Sequence, residues 1–556
     1  MSDTILTYDD LINYTVDPFD GSTNYVVIGT DRPSERRTIP ASPPYRIRLF
    51  HAPVEDSPSL TYIETVSGGT PLVEVSATTV PAAGQYRVNY EEPNIGWIDF
   101  NAAQAGVQVD ISYSAKYTII NTQTFAFRLS ALGASLVFAS SNSSASDKLV
   151  ADYIIDTTDD AGLTINTYAS GMTGDIKLMN GTYNVKTIIT LDNGVNLIGS
   201  GIDTVLTKAA NIANIINISG KTNVALRNFS ANGVKATYTG ANYHNIVGNN
   251  DYNMSIYNVY SYNADDSGFS QCINVTDCNS YSNGSHGFNV GGYIKGSHSY
   301  SNGGDGFNGS LRVTNSRAYN NIIGFNDVDE LSVCYSYSNS SHGVYLCNQL
   351  SSIQSYNNGG HGVYLCRRLS SVFSFSSTLH GFYQCESLSS CYAQQNIQDG
   401  FNDCGQLSAC ISYNDTTNGF NTCIDLSSCR SESNVIGFNN SSNISACYAY
   451  LNSTIGFYKC NNISSSKAES NSNNGFQNCL QLSGCTAISN TNSGFIGCRK
   501  ITSCLSSTNT TYGFYICNTM GFNQATGNVT ANYNTSYADS AAVAPAADTA
   551  TGGYNY

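Results

Sequence analysis

The chain has 556 residues, more than one compact core holds and enough for several domains. Only 12% of residues are charged, but 41% are hydrophobic and 39 are Tyr, which excludes a disordered chain and suits β structure with many turns. A net charge of −15 argues against a nucleic-acid binder, which needs basic patches.

The first stretch, MSDTILTYDDLINY, has neither a basic nor an apolar leader segment, and no run of about 18 apolar residues follows anywhere. The expectation is synthesis in a cytosol without membrane insertion, with exit by lysis or by a dedicated machine. Residues 1–37 read as an attachment arm. Residues 38–120 hold alternating runs (YRIRLF, PLVEVSA, QYRVNY, GWIDF, VQVDISYSAKY) split by Pro and Gly. Their period of two predicts a small antiparallel β-sandwich. The string YRVNYEEPNIGWIDFNAAQAGVQVDISYSA resembles the Ig-like modules of phage structural proteins.

Residues 121–149 are rich in Ala and Ser and read as a neck. Residues 150–265 read as irregular coils that begin with a short helix capped near Asp160, set to cover an otherwise open sheet edge. From residue 266 to 528 the chain repeats. Counting from the residue after a recurrent Gly, position zero is Phe269, Phe288, Phe307, Phe325, Val344, Val363, Phe382, Phe401, Phe420, Phe438, Phe457, Phe476, Phe495 and Phe514, in steps of 19 with two of 18. All 18 cysteines fall at +3 or +9. Position +6 is Leu, Ile or Val, +11 is Ser or Ala, and +14 is Asn in nearly every copy.

Such a metre is a solenoid: one coil per repeat, stacked at about 4.8 Å. Phe, Cys, Leu and Ser/Ala point inward, where a free Cys acts as a small hydrophobe, and the Asn column forms a ladder at a turn. Stacked single thiols lack the spacing of a metal cluster and the geometry for disulfides, so free thiols are expected. No hexapeptide period marks a left-handed solenoid. The fold class is therefore all-β: a right-handed parallel β-helix of ~19-residue coils, preceded by the β-sandwich. Residues 529–556 read as a polar tail.

The segments ADYIIDTTDDAGLTINTYAS, NGTYNV and NGVNLIGSG resemble the entry of pectate-lyase-like β-helix domains, which recur in bacteriophage tailspikes and tail fibres. That resemblance covers roughly residues 140–530. It implies a virion component released by lysis and a homotrimer. It also implies contacts to other virion proteins through the N-terminal region, and a host-surface glycan as partner. It specifies fold better than chemistry, and no cofactor is implied.

Three outward columns are candidate sites. The carboxylates Asp327, Asp329, Glu330, Glu386 and Asp403 lie near +2 to +5. Paired carboxylates cleave glycosidic bonds; interleaved turn charges are the alternative. At −2 stand His342, His361, His380 and Asp399, candidate metal ligands or turn filler. At +12 run Tyr281, Tyr300, Tyr319, Tyr337, Tyr356 and Phe375. Strand parity turns this stripe outward, toward a glycan or a partner chain. The reading is a phage fibre or tailspike-like protein that recognises a glycan. The alternatives are a polysaccharide depolymerase (lyase or hydrolase) on the same helix, and a purely structural capsid or tail decoration.

Overall fold

The computed structural model describes residues 4–6, 25–27, 34–48, 62–66, 69–76, 78–88, 97–112, 135–240, 242–248, 253–534 and 553–554. They fall in two compact units, one mostly before Val137 and one carrying the repeats. Most of the arm expected at 1–37, and most of the tail, lie outside the described residues.

The first unit contains a β-sandwich. One antiparallel sheet pairs Ser34–Thr38 and Tyr62–Thr65 on either side of Gln108–Ser112. The other orders Arg46–Arg48, Trp97–Phe100, Gln85–Val88 and Val73–Glu74, the last pair running parallel. Alternate residues meet in a core of Ile39, Ile47, Ile63, Tyr86, Ile98, Phe100, Val109 and Ile111. Asp99 neutralises two neighbouring cations, accepting from Arg46 and from Arg87 Nη2 at 2.5 Å. The sandwich starts before the boundary at residue 38, because Ser34–Thr38 forms its edge. SERRT shows no apolar alternation, so periodicity does not announce it.

The second unit is the parallel β-helix, and it too starts early. Phe138–Val150, of which residues 138–149 read as neck, belong to it: the strand Leu136–Ser140 buries Phe138, whose carbonyl accepts from Tyr183 Oη at 3.0 Å. The helix Ala161–Ala169 follows, with Asp160 as its cap. Asp160 Oδ1 accepts from the N–H groups of Gly162, Lys186 and Thr187, so the cap also pins the next strand. The far boundary shifts as well. Ala531–Asn534 forms a further first strand, and the Tyr533 ring continues the Phe column at 5.3 Å from Phe514.

Each regular coil has three short strands. The first, at 0 and +1, builds a sheet of 17 strands among the described residues. The second (near +5 to +7) and third (+10 to +12) continue the paths of two nine-residue strands, Val224–Asn232 and Met254–Tyr262. Register is strict: Phe269 pairs with Phe288, Leu331 with Leu350, Ser336 with Ser355. Between strands the chain turns at single residues with positive φ, at +2, +8 and +13, such as Asp327 (53°), Val333 (54°) and Ser338 (55°). One left-handed residue bends the path without ending the ladder.

Inside, Phe rings stack with centroids 4.6–5.0 Å apart, broken only where Val344 and Val363 replace them. All 18 cysteines are buried free thiols. Burial pushes Cys272, Cys278 and Cys334 up to about 12, so these are neutral packing groups.

The third corner carries the polar ladder. The N–H and Nδ2 of Asn283 both donate to Asn302 Oδ1, at 3.1 and 2.9 Å; Asn302 repeats this onto Asn321. Nδ2 also donates to the +11 Ser, and that Ser donates to the Gly carbonyl of the next coil. This contact fixes the repeated Gly. A Cβ on Gly343 would lie 2.0 Å from Ser355 Oγ and 2.6 Å from the Gly362 carbonyl oxygen. Gly343→Ala is therefore expected to lose roughly 2–3 kcal/mol in chemical or thermal denaturation, from overpacking and a displaced ladder bond, while Ser351→Ala on an exposed strand position stays within ~0.5 kcal/mol.

Candidate functional site

Parallel strands keep an outward residue on the same face in every coil, so each outward offset becomes a column. The carboxylates occupy two faces. Glu330, on the second strand, pairs with Arg312 (Nη2 to Oε2 2.5 Å), and that guanidinium holds its carboxyl below the usual range. Both line a shallow groove of about 720 Å³ with Gln349, Arg368 and a row of serines. Asp329 accepts from Asn348 Nδ2 at 2.7 Å, and Asp403 from Gln384 Nε2 at 3.0 Å. Glu386 lies 3.7 Å from Arg367 with both side chains about two-thirds exposed, a pair worth little in water.

Asp327 and Glu386 share one feature: both line a cleft of about 600 Å³ at the corner between first and second strands. Three coil steps separate them, about 14 Å, beyond either carboxylate spacing used to cleave glycosidic bonds. Asp329, Glu330 and Asp403 are not among the residues that line this cleft; Asp329 and Asp403 stand behind its lining residues Asn348 and Gln384.

The imidazoles stack. His342, His361 and His380 have centroids 5.2 and 5.3 Å apart. Each Nδ1 accepts a backbone N–H from the −2 residue of the following coil: His361 to His342 (3.1 Å), His380 to His361 (3.3 Å), Asp399 to His380 (3.1 Å). Asp399 continues the pattern, accepting from the Asn418 N–H at 2.9 Å and from the Nδ2 groups of Asn402 and Asn421. Position −2 is thus a second acceptor ladder, and in the neutral His342 and His361 rings, whose Nδ1 accepts, the proton is left to Nε2. Among the described residues no three His, Cys, Asp or Glu side chains gather closely enough to hold a metal.

The aromatic stripe stands on the outer side of the third strand. Tyr281, Tyr300, Tyr319, Tyr337 and Tyr356 stack at 4.8–4.9 Å, half-buried against one another, with Phe375 more exposed beyond them. Tyr262, in an irregular coil, extends the stack by one ring at 5.0 Å.

A second aromatic group was not singled out from sequence. Tyr345, Tyr364 and Tyr383 occupy +1 in three consecutive coils, with centroids 5.1 Å apart. His361 packs on Tyr383 at 4.6 Å. The signal was available as Gly-Val-Tyr, Gly-Val-Tyr and Gly-Phe-Tyr at 19-residue steps. This patch borders the same corner cleft, into which Tyr345, Leu346, Leu365, Arg367 and Gln384 converge. Aromatic faces beside amide, carboxylate and guanidinium groups form an amphipathic recess suited to a polyhydroxylated ligand.

No family model matches the chain, and no curated protein matches it. Among solved structures it is similar to the A-module of a mannuronan C-5 epimerase from Azotobacter vinelandii (14% identity, 68% of this chain and 96% of that one, TM-score 0.26). It is also similar to the N-terminal fragment of gene product 12 of bacteriophage Phi29 (12%, 67% and 91%, TM-score 0.34). A third similar structure is tailspike protein 2 of the Escherichia coli O157:H7 bacteriophage CAB120 (13%, 51% and 37%, TM-score 0.27).

Burial and its two neighbouring imidazoles push His361 down to about 3. It should therefore remain neutral, as the Nε2–H tautomer, from pH 8 down to pH 5; histidine-selective NMR through that range checks this by an unmoving His361 resonance. Because its folded pKa lies below the unfolded value, His361 contributes stability above about pH 6.5 that is lost as pH falls toward 3.

Proposed function

We propose that this protein is a virion-associated fibre or tailspike-like component whose β-helix binds a host-surface glycan at the cleft beside Tyr345, Tyr364 and Tyr383. The observation that carries the glycan reading is the stacked tyrosine patch bordering a recess lined by Asn326, Asp327, Asn348 and Arg367. Sugar rings present apolar faces and hydroxyl rims. The tyrosines meet the first, and the amide and charged groups meet the second. The inter-coil repeat, about 4.8 Å, is close to the length of one pyranose unit, so a polysaccharide laid along the axis would meet equivalent groups coil after coil.

The Tyr281–Tyr356 stripe belongs to a different task in this reading. It is a flat run of stacked rings on the third strand, suited to packing against neighbouring copies in a homotrimer. The N-terminal sandwich serves attachment to other virion proteins. No paired carboxylates accompany the cleft at hydrolytic spacing, so the reading is binding rather than cleavage.

A timed incubation of purified protein with a panel of capsular and lipopolysaccharide preparations tests this. It reads bound protein together with new reducing or unsaturated ends. The expected result is binding without new ends, weakened at least tenfold by Tyr364→Ala and much less by Tyr319→Ala. New ends abolished by Asp327→Asn or Glu386→Gln would make the protein a depolymerase instead; neither signal across the panel would favour a decoration protein.

A further inference from the structure

Fourteen regular coils place Asn at +14 in all but two cases, Ser377 and Asp415. Asp415 is 3% exposed and takes the full Asn position. Its Oδ1 accepts from the N–H and Nδ2 of Asn396, both at 2.8 Å, and its own N–H donates to Asn434 Oδ1 at 2.7 Å. The difference lies at Oδ2, which replaces a donor. In Asn coils, Nδ2 donates to the +11 Ser, to the next Oδ1 and to the +11 carbonyl of the coil before, as Asn302 does. The Ser hydroxyl hydrogen is then free for the next Gly carbonyl, as in Ser299 to Gly306 at 2.8 Å. At Asp415, Oδ2 lies 2.6 Å from Ser412 Oγ. An ionised carboxylate would take the Ser412 hydrogen and face acceptors elsewhere. A protonated one restores the serine bond of that pattern: Oδ2–H donates to Ser412, and Ser412 turns to the Gly419 carbonyl.

A second feature brings solvent close to this slot. The following coil is one of the two with 18 residues: only Val435 and Ile436 stand between Asn434 and Gly437, where Thr416, Thr417 and Asn418 stand between Asp415 and Gly419. Beside the shortened corner lies a recess of about 480 Å³ with Asp415 in its wall, between Asn414 and Thr416. The titratable groups that act with Asp415 are Asp399 in the preceding corner and Tyr392 on the third-strand face, which in turn feels Tyr413, Arg430 and Glu432. Asp399 opposes a second negative charge, and among the described residues no salt bridge joins a cation to Asp415.

We propose that the Asp415 slot is a buried proton-binding site, beside a solvent recess, that couples the packing of the coils spanning Asn396–Asn434 to pH: a protonated carboxyl donates to Ser412 as a ladder Asn does, and an ionised one cannot. Burial raises this carboxyl to about 7, in the same direction. The folded pKa exceeds the unfolded one, so the stabilisation is complete below about pH 4 and lost as pH rises through about 7.

Hydrogen exchange by mass spectrometry on the full chain at pH 5 and pH 8, corrected for intrinsic rates, tests it. Peptides within 396–434 should lose at least tenfold protection at pH 8 relative to peptides within 457–509. Asp415→Asn should abolish that difference by supplying the missing donor at every pH. Asp415→Ser, which copies the residue at 377, is the second variant and should also be independent of pH. Equal pH responses in the parent and both variants would overturn the proposal, as would a parent whose protection at 396–434 does not fall.

Discussion

Everything in the repeat unit answers to the third corner, where Gly at −1, Ser or Ala at +11 and Asn at +14 touch. The Asn amide must reach the next coil, the +11 side chain must stay small beneath it, and the Gly must offer its carbonyl with no Cβ in the way. Each bond contributes only about 1 kcal/mol net, but an unpartnered buried amide costs about 1–3 kcal/mol. The corner thus penalises error more than it rewards success. It sets coil length, because an Asn one step out of register loses its acceptor and strands a donor in the dark.

With the corner fixed, the interior can be simple. Phe, Cys and Leu columns need only match the same residue type above and below, and parallel register supplies that match. Thiols share their columns with Val328, Ile353 and Val372, and burial keeps Cys272, Cys278 and Cys334 neutral. The outer positions escape these demands. Columns at +1, +4, +5, +10 and +12 change from Asn to Tyr to Arg along the axis without disturbing the third-corner ladder, so recognition chemistry can vary while the scaffold does not.

The regular coils were legible in the sequence because one period governs both the core and the hydrogen bonds. The strand at Ser34–Thr38 was not, because an edge strand of polar residues carries no apolar alternation. Phe138–Val150 was hidden by its small residues, which read as a linker although Phe138 is fully buried. In the candidate site, the columns were visible but their partners were not. That His361 receives a backbone N–H on Nδ1, or that Asp399 receives several donors, depends on which carbonyls and amides the strand ladders leave over. The Tyr345–Tyr383 patch follows the same logic. Three tyrosines at one offset could be counted, but the cleft beside them exists only once +1, +2 and +4 are folded round a left-handed corner.

The two 18-residue coils carry a lesson in measurement. Both omit their residue in the same place, between the ladder Asn and the Gly, and the strands on either side pair as if nothing were missing. The helix behaves as a ruler with a fixed graduation: its reach is set by the number of coils, and single-residue insertions and deletions alter the ornament at one corner without altering the length. A lineage that must extend or shorten such a ruler can do so by duplicating or losing whole graduations. The surface chemistry then slides along the axis in discrete steps, with every remaining mark still in register.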